Sequence, residues 1–123
     1  MKTFLFVILF SAALAAQDRP SPPSHKFFDR ENKTLFLGVA AVRSFDCIST
    51  WHARSNGGTE ALLTNGLVDN RPGFAAFSAA MVGANVAAAA LLHATGHHRA
   101  ERFVSYLHVS AVGVTDVHNF RVH

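Results

Sequence analysis

Residues 73–95, GFAAFSAAMVGANVAAAALLHAT, run for 23 positions without an Asp, Glu, Lys or Arg. A helix rises about 1.5 Å per residue, so a stretch of this length spans about 35 Å and crosses a hydrocarbon core about 30 Å thick. A surface helix of a soluble protein needs a polar face, yet Asn85 is the one strongly polar residue between Ala79 and Leu92. The competing reading, a helix buried at the centre of a soluble bundle, asks a short chain to wrap it completely with few other helices. The stretch is therefore expected to be a membrane helix. Arg71-Pro72-Gly73 starts it, because proline suits a first turn, and Gly96 stops it before His97, His98 and Arg99.

Two further hydrophobic segments flank it. One covers residues 34–54 and carries Arg43, Asp46, Ser49, Thr50 and His52; the other covers residues 100–120, with an apolar middle from Phe103 to Val114. Ser55-Asn56-Gly57-Gly58 is a strong turn signal after the first of these. The expected fold class is all-α: a three-helix, hydrophobic, transmembrane bundle with helices near 34–54, 73–95 and 100–120.

Toward the N-terminus, residues 17–33 are polar and hold three of the four prolines, which predicts an extended tether. Residues 1–16 have the three parts of a secretory signal: Lys2, an apolar run from Phe4 to Leu14, and small residues with cleavage after Ala15 or Ala16. A cleaved signal would place the chain's mature N-terminus outside the cell. The positive-inside rule points the other way, since Arg19, Lys26, Arg30, Lys33, Arg99 and Arg102 fall on one side against Arg54, Arg71 and Arg121 on the other.

Composition excludes more than it identifies. Eleven Lys and Arg against eight Asp and Glu give a net charge of +3, with no basic run, so no nucleic-acid partner is expected. Cys47 is the single cysteine, which rules out an intrachain disulfide and fits a small buried hydrophobe. Asn32-Lys33-Thr34 matches a glycosylation sequon but abuts a hydrophobic segment. No nucleophile elbow, phosphate-cradling loop or Cys-x-x-Cys is present, so no enzyme signature stands out.

Polar residues inside apolar helices are the candidates for function. Arg43 and Asp46 are three apart and close enough to pair, with Thr50 on the same stripe. Ser105, His108, Val112, Thr115, Asp116 and Asn119 form a matching stripe in the third segment, and His108 is placed to meet Asp46 or Arg43 across an interface. Asn85 joins by the same logic. The candidate polar site is thus Arg43, Asp46, Thr50, Asn85, His108 and Asp116. Small residues at four-residue steps, Ala79, Gly83 and Ala87, mark a helix-packing seam. Among eight histidines, His93 and His97 have ligand-like spacing, with His98 adjoining. Gly96 interrupts the helix between them and no Glu completes a zinc-protease motif, so no metal and no other cofactor is expected.

Asp46-Cys47-Ile48-Ser49-Thr50, followed by Gly57-Gly58-Thr59-Glu60-Ala61, resembles a group of uncharacterised small bacterial multi-span membrane proteins. Those proteins are alike in an Asp-x-x-Ser/Thr-Thr helix, a Gly-rich turn and a Glu-Ala-Asn-Pro type segment. Here Glu60-Ala61 continues as Leu62-Leu63-Thr64-Asn65, so the Asn-Pro is absent. The resemblance implies a bacterial inner-membrane placement and no particular activity. It singles out Asp46, Thr50 and Glu60, with Gly57 and Gly58 as the turn.

The sequence leads to three expectations of function. The first is a non-enzymatic membrane protein whose partners are lipid and a second copy or another membrane protein, reached by helix packing. The second is an intramembrane ligand, ion or proton site centred on Asp46 and His108. The third is a soluble exported bundle in the periplasm or outside the cell.

Overall fold

The computed structural model describes residues 19–59 and 63–122. The expected signal at residues 1–16 and the turn residue Glu60 lie outside the described residues. Four helices follow in order: α1 (Arg30–Ser55), α2 (Asn65–Asp69), α3 (Arg71–Ala94) and α4 (His98–Val122). Among the described residues there is no strand.

Local signals set the helix ends. α1 starts at Arg30, four residues before the expected 34, because Asp29 caps it: its extended backbone (φ −73°, ψ 176°) lets the carboxylate accept from the Asn32 N–H at 2.8 Å. Such a cap contributes about 1 kcal/mol. The last turn closes by a paired C-terminal motif, Gly58 N–H to the Ala53 carbonyl at 2.8 Å and Gly57 N–H to that of Arg54 at 3.1 Å. The motif needs a left-handed residue, and Gly57 supplies it with φ +85°. α3 ends in the same way at Gly96 (φ +80°), with His97 N–H on Leu92 and Gly96 N–H on His93. At its other end Asn70 Oδ1 accepts from Gly73 N–H at 3.2 Å, and Pro72 occupies the first turn, where no N–H is needed. The short α2 was not expected from the sequence; Thr64 caps it on Leu67.

Cross-helix pairs give the topology. Asn32 meets Glu101, Arg43 meets His108 and Ser49 meets Asp116, so numbers rise together and α1 lies parallel to α4. Cys47 meets Ser78 and Asn85 meets Ser105, so α3 runs antiparallel to both. The three long helices therefore go up, down and up. One end holds a compact apolar cluster of Cys47, Val68 and Phe74 with Trp51, Leu63 and Phe77. The Trp51 indole N–H donates to the Val68 carbonyl at 3.2 Å, and the Arg71 guanidinium sits 5.4 Å from the indole centre, which ties α2 to the bundle.

Residues 19–29 do not form a free tether. Ser21 N–H donates to the Gly96 carbonyl at 3.1 Å, pinning the segment to the α3–α4 turn. Phe27 packs its ring 5.5 Å from Phe36 and 5.5 Å from His93. Asn32 of the sequon is 1 % exposed, and its amide is spent on the Phe27 carbonyl and Glu101.

The bundle buries polar side chains alongside apolar ones and leaves several large apolar side chains outside. Among the described residues, Asn32, Asp46, Ser49, Thr50, Ser78, Asn85, Glu101, Ser105, His108 and Asp116 are all buried. Leu37, Phe45, Ile48, Leu91, Val114 and Val117 are each more than half exposed. The 18-residue apolar window of α3 has mean hydropathy 1.8 yet is only 22 % buried inside the bundle, so α3 is not a wrapped core helix. α3 is the one described helix long and apolar enough to cross a membrane.

Within the single bundle, the face of α3 that packs inward is not the small-residue row. Ala79, Gly83 and Ala87 are exposed, and a Cβ built on Gly83 meets nothing within 4 Å. The inward face is instead Phe74, Ser78, Met81, Asn85 and Ala89. Seen from α1 and α4, that row also rises at three- and four-residue steps, and it carries the larger side chains that fill the gap between helices.

Candidate functional site

Two polar clusters lie along the axis of the bundle. The first occupies its middle and lower half between α1 and α4. Arg43 and Asp46 pair at 3.2 Å through a terminal guanidinium nitrogen, as their i, i+3 spacing allows. The Arg43 Nε–H points across the interface and donates to His108 Nε2 at 2.9 Å. That bond assigns the His108 proton to Nδ1, since Nε2 acts as acceptor. The Asp116 carboxyl accepts from Ser49 Oγ at 3.2 Å and is buried within electrostatic reach of Asp46. Asn119 reaches Ser49 at 3.4 Å and Thr50 at 3.5 Å.

Of the six polar candidates, the structure brings Arg43, Asp46, His108 and Asp116 into one chain of contacts. Thr50 joins its edge through Asn119. Asn85 stands apart: its amide donates to Ser105 at 2.9 Å, and its Oδ1 is buried without a hydrogen-bond partner. Ser49 and Asn119 complete the chain; Asn119 belongs to the stripe at 105–119, Ser49 sits one turn after Asp46, and Ser105 pairs with Asn85 instead.

The second cluster caps the end where α3 turns into α4. Glu101 is in the first turn of α4 and is 1 % exposed. Its Oε2 lies 3.0 Å from His93 Nδ1, 3.1 Å from His98 Nδ1 and 3.5 Å from His25 Nε2. Its other oxygen accepts from the Asn32 amide. The three imidazole centres stand 5.0–5.2 Å apart, edge to face. Burial pushes the Glu101 carboxyl up, but hydrogen bonds from His98, Asn32 and His93 outweigh it and hold it below the ordinary glutamate value. Asp29, at the same end, is lowered by the Asn32 backbone N–H it caps, with Arg102 at 2.7 Å adding to the effect.

The sequence pointed to His93 and His97 as the pair with ligand-like spacing. The structure separates them: His97 turns to Thr95 Oγ1 at 2.9 Å, while His93 meets His98, His25 and Glu101. The left-handed turn at Gly96 causes this, because it breaks the helical register that an i, i+4 argument assumes. His98 and Glu101 are three apart on one helix and were detectable as a local pair. His25 was not, since it lies in the segment expected to be extended and free.

Comparison of the chain with family models, with curated proteins and with solved structures gives no match.

Proposed function

We propose that this chain is a small integral membrane protein whose role is carried by helix packing rather than by catalysis. The observation that supports this best is the placement of polarity among the described residues: ten polar or charged side chains are buried, while large apolar side chains of α1 and α4, with Leu91 of α3, are exposed. In water, nine large apolar side chains between 47 % and 72 % exposed would be a liability; in lipid they are the solvent-facing surface. Buried Asp46 and His108, with half-buried Arg43 paired to both, fit the same placement, because ionisable groups within a bilayer face protein and pair with one another. The outward row Ala79, Gly83 and Ala87 on α3 is a surface on which a second helix can approach closely. The resemblance to small multi-span membrane proteins around Asp46 and Gly57-Gly58 supports the same class.

Alkaline carbonate extraction of membranes carrying the full chain tests this. The protein should stay in the pellet. Release into the supernatant would overturn the membrane reading and favour a soluble exported bundle.

A second reading has its own observation. Two acidic side chains, Asp46 and Asp116, are buried within electrostatic reach of each other beside Arg43 and His108. Such a chain suits a proton or cation site inside a bundle. It predicts that Asp46→Asn abolishes a transport phenotype while the amount of protein in the membrane is unchanged; a fall in abundance alone would assign Asp46 to packing.

A further inference from the structure

We infer that His25, His93, His98 and Glu101 form a binding site for one divalent transition-metal cation of the zinc class. The inference is independent of whether the bundle sits in a membrane.

Four donor groups from three separate parts of the chain converge here, and one ligand atom from each lies within 4.8 Å of every other. His25 comes from the segment before α1, His93 from the last turn of α3, and His98 with Glu101 from the first turn of α4. All four are shielded from water: the imidazole side chains are 11–18 % exposed and that of Glu101 is 0 %. Gathering three rings around a single carboxylate oxygen removes them from water with few hydrogen bonds in return. It makes chemical sense if a cation belongs at the centre.

The orientation of His25 is the most specific sign. Its Nδ1 lies 3.0 Å from the Lys26 carbonyl, an acceptor only, so that nitrogen carries the proton. The opposite Nε2 is buried without a hydrogen-bond partner and faces the Glu101 oxygen at 3.5 Å. In the neutral ring that nitrogen presents a lone pair to the carboxylate oxygen, an arrangement that a cation between them satisfies. Histidine ligands commonly donate their second ring nitrogen to a carbonyl or carboxylate, which orients the ring and fixes its tautomer. The Lys26 carbonyl does this for His25, with Asp29 Oδ2 3.4 Å from the same nitrogen. Asn32 does the equivalent for Glu101 by holding Oε1, leaving Oε2 for the centre.

The donor set selects the cation. Three imidazole nitrogens and one carboxylate oxygen suit Zn2+ and its neighbours, whereas Mg2+ and Ca2+ want an all-oxygen shell. Bonds of about 2.0–2.1 Å in a tetrahedron put ligand atoms about 3.3 Å apart. The three Glu101-to-imidazole separations, 3.0–3.5 Å, are near that value, and the imidazole donor atoms lie within 4.8 Å of one another. His93 and His98 now direct Nδ1 at the carboxylate; on binding, those nitrogens coordinate and each neutral ring carries its proton on Nε2. Four protein ligands close the shell, which is the pattern of a structural site rather than a catalytic one. Its effect is to lock residues 19–29 onto the α3–α4 turn.

The test is titration of the chelator-treated full chain, purified in detergent, with Zn2+, Co2+ and Mg2+. One Zn2+ per chain should bind and raise the thermal midpoint, Co2+ should give the intense visible bands of a tetrahedral site, and Mg2+ should do neither. His25→Ala and His98→Ala should each weaken Zn2+ binding by about 100-fold or more, and Asn32→Ala by about 10-fold to 100-fold, with His97→Ala unchanged. His25 lies outside the helices, so its variant keeps the bundle even where Glu101→Gln fails to fold. Absence of Zn2+ uptake, or uptake of equal affinity in His25→Ala and His98→Ala, would overturn the site.

Discussion

Arg43 on α1 bridges two helices at once, donating its Nε–H to His108 Nε2 on α4 at 2.9 Å while a terminal nitrogen holds Asp46 at 3.2 Å. Its charge is the fixed positive one in a buried chain that includes Asp46 and Asp116, so its removal leaves carboxyl groups without compensation. Breaking a buried pair from one side costs about 3–5 kcal/mol, far more than the pair's net contribution when intact. Arg43→Met is expected to destabilise the bundle by about 3 kcal/mol. Arg43→Met with Asp46→Asn should recover part of that loss, read as a coupling energy from unfolding in detergent. Simple additivity of the two changes would refute the bridge.

The two left-handed glycines should respond differently to the same change. A Cβ on Gly57 meets nothing within 4 Å, so Gly57→Ala carries only the backbone penalty of about 1–2 kcal/mol. A Cβ on Gly96 falls 2.8 Å from the Ser21 carbonyl oxygen, which must move. Gly96→Ala should cost about 1–3 kcal/mol more and raise hydrogen exchange in residues 19–29, whereas Gly57→Ala should leave that exchange unchanged.

Asn85 makes one buried hydrogen bond, to Ser105, and leaves its Oδ1 unpaired. The gain from the bond and the cost of the orphan oxygen nearly cancel. Asn85→Ala is expected to change stability by less than about 1 kcal/mol, in keeping with interhelical hydrogen bonds in membranes. A loss several times larger would mean that Asn85 does more than hold Ser105.

Gly83 lies on the outward row of α3 with open space around it. Gly83→Leu should therefore leave the stability of the single bundle within about 0.5 kcal/mol. If this face carries helix–helix association, the same change removes crosslinked oligomers or a captured partner. Oligomers that survive it would dismiss the row as a seam.

Much of the local architecture was legible in the sequence. The uncharged run after Gly73 gave a long apolar helix, Pro72 and Gly96 marked its ends, and the three-residue step from Arg43 to Asp46 gave an ion pair. Each of these is decided within one or two helical turns, by capping, φ preference and side-chain spacing. The early start of α1 is set by Asp29, whose cap acts over only three residues and lies in a polar, proline-containing stretch without apolar periodicity.

What the tertiary structure decided was which polar groups meet. Arg43 reaches His108, and Asp46 reaches Asp116, because α1 and α4 run parallel with one register, and no local pattern in either segment sets that register. The histidines show it most clearly. His25 stands nearly seventy residues from His93, and it arrives beside Glu101 only because Gly96 turns left-handed and offers its carbonyl to Ser21. Sequence by itself determined the three long helices and the glycine stops of the first two, which depend on short-range torsions and caps. The folded bundle alone set the polar interior and the histidine–carboxylate cluster, which depend on how distant faces pack.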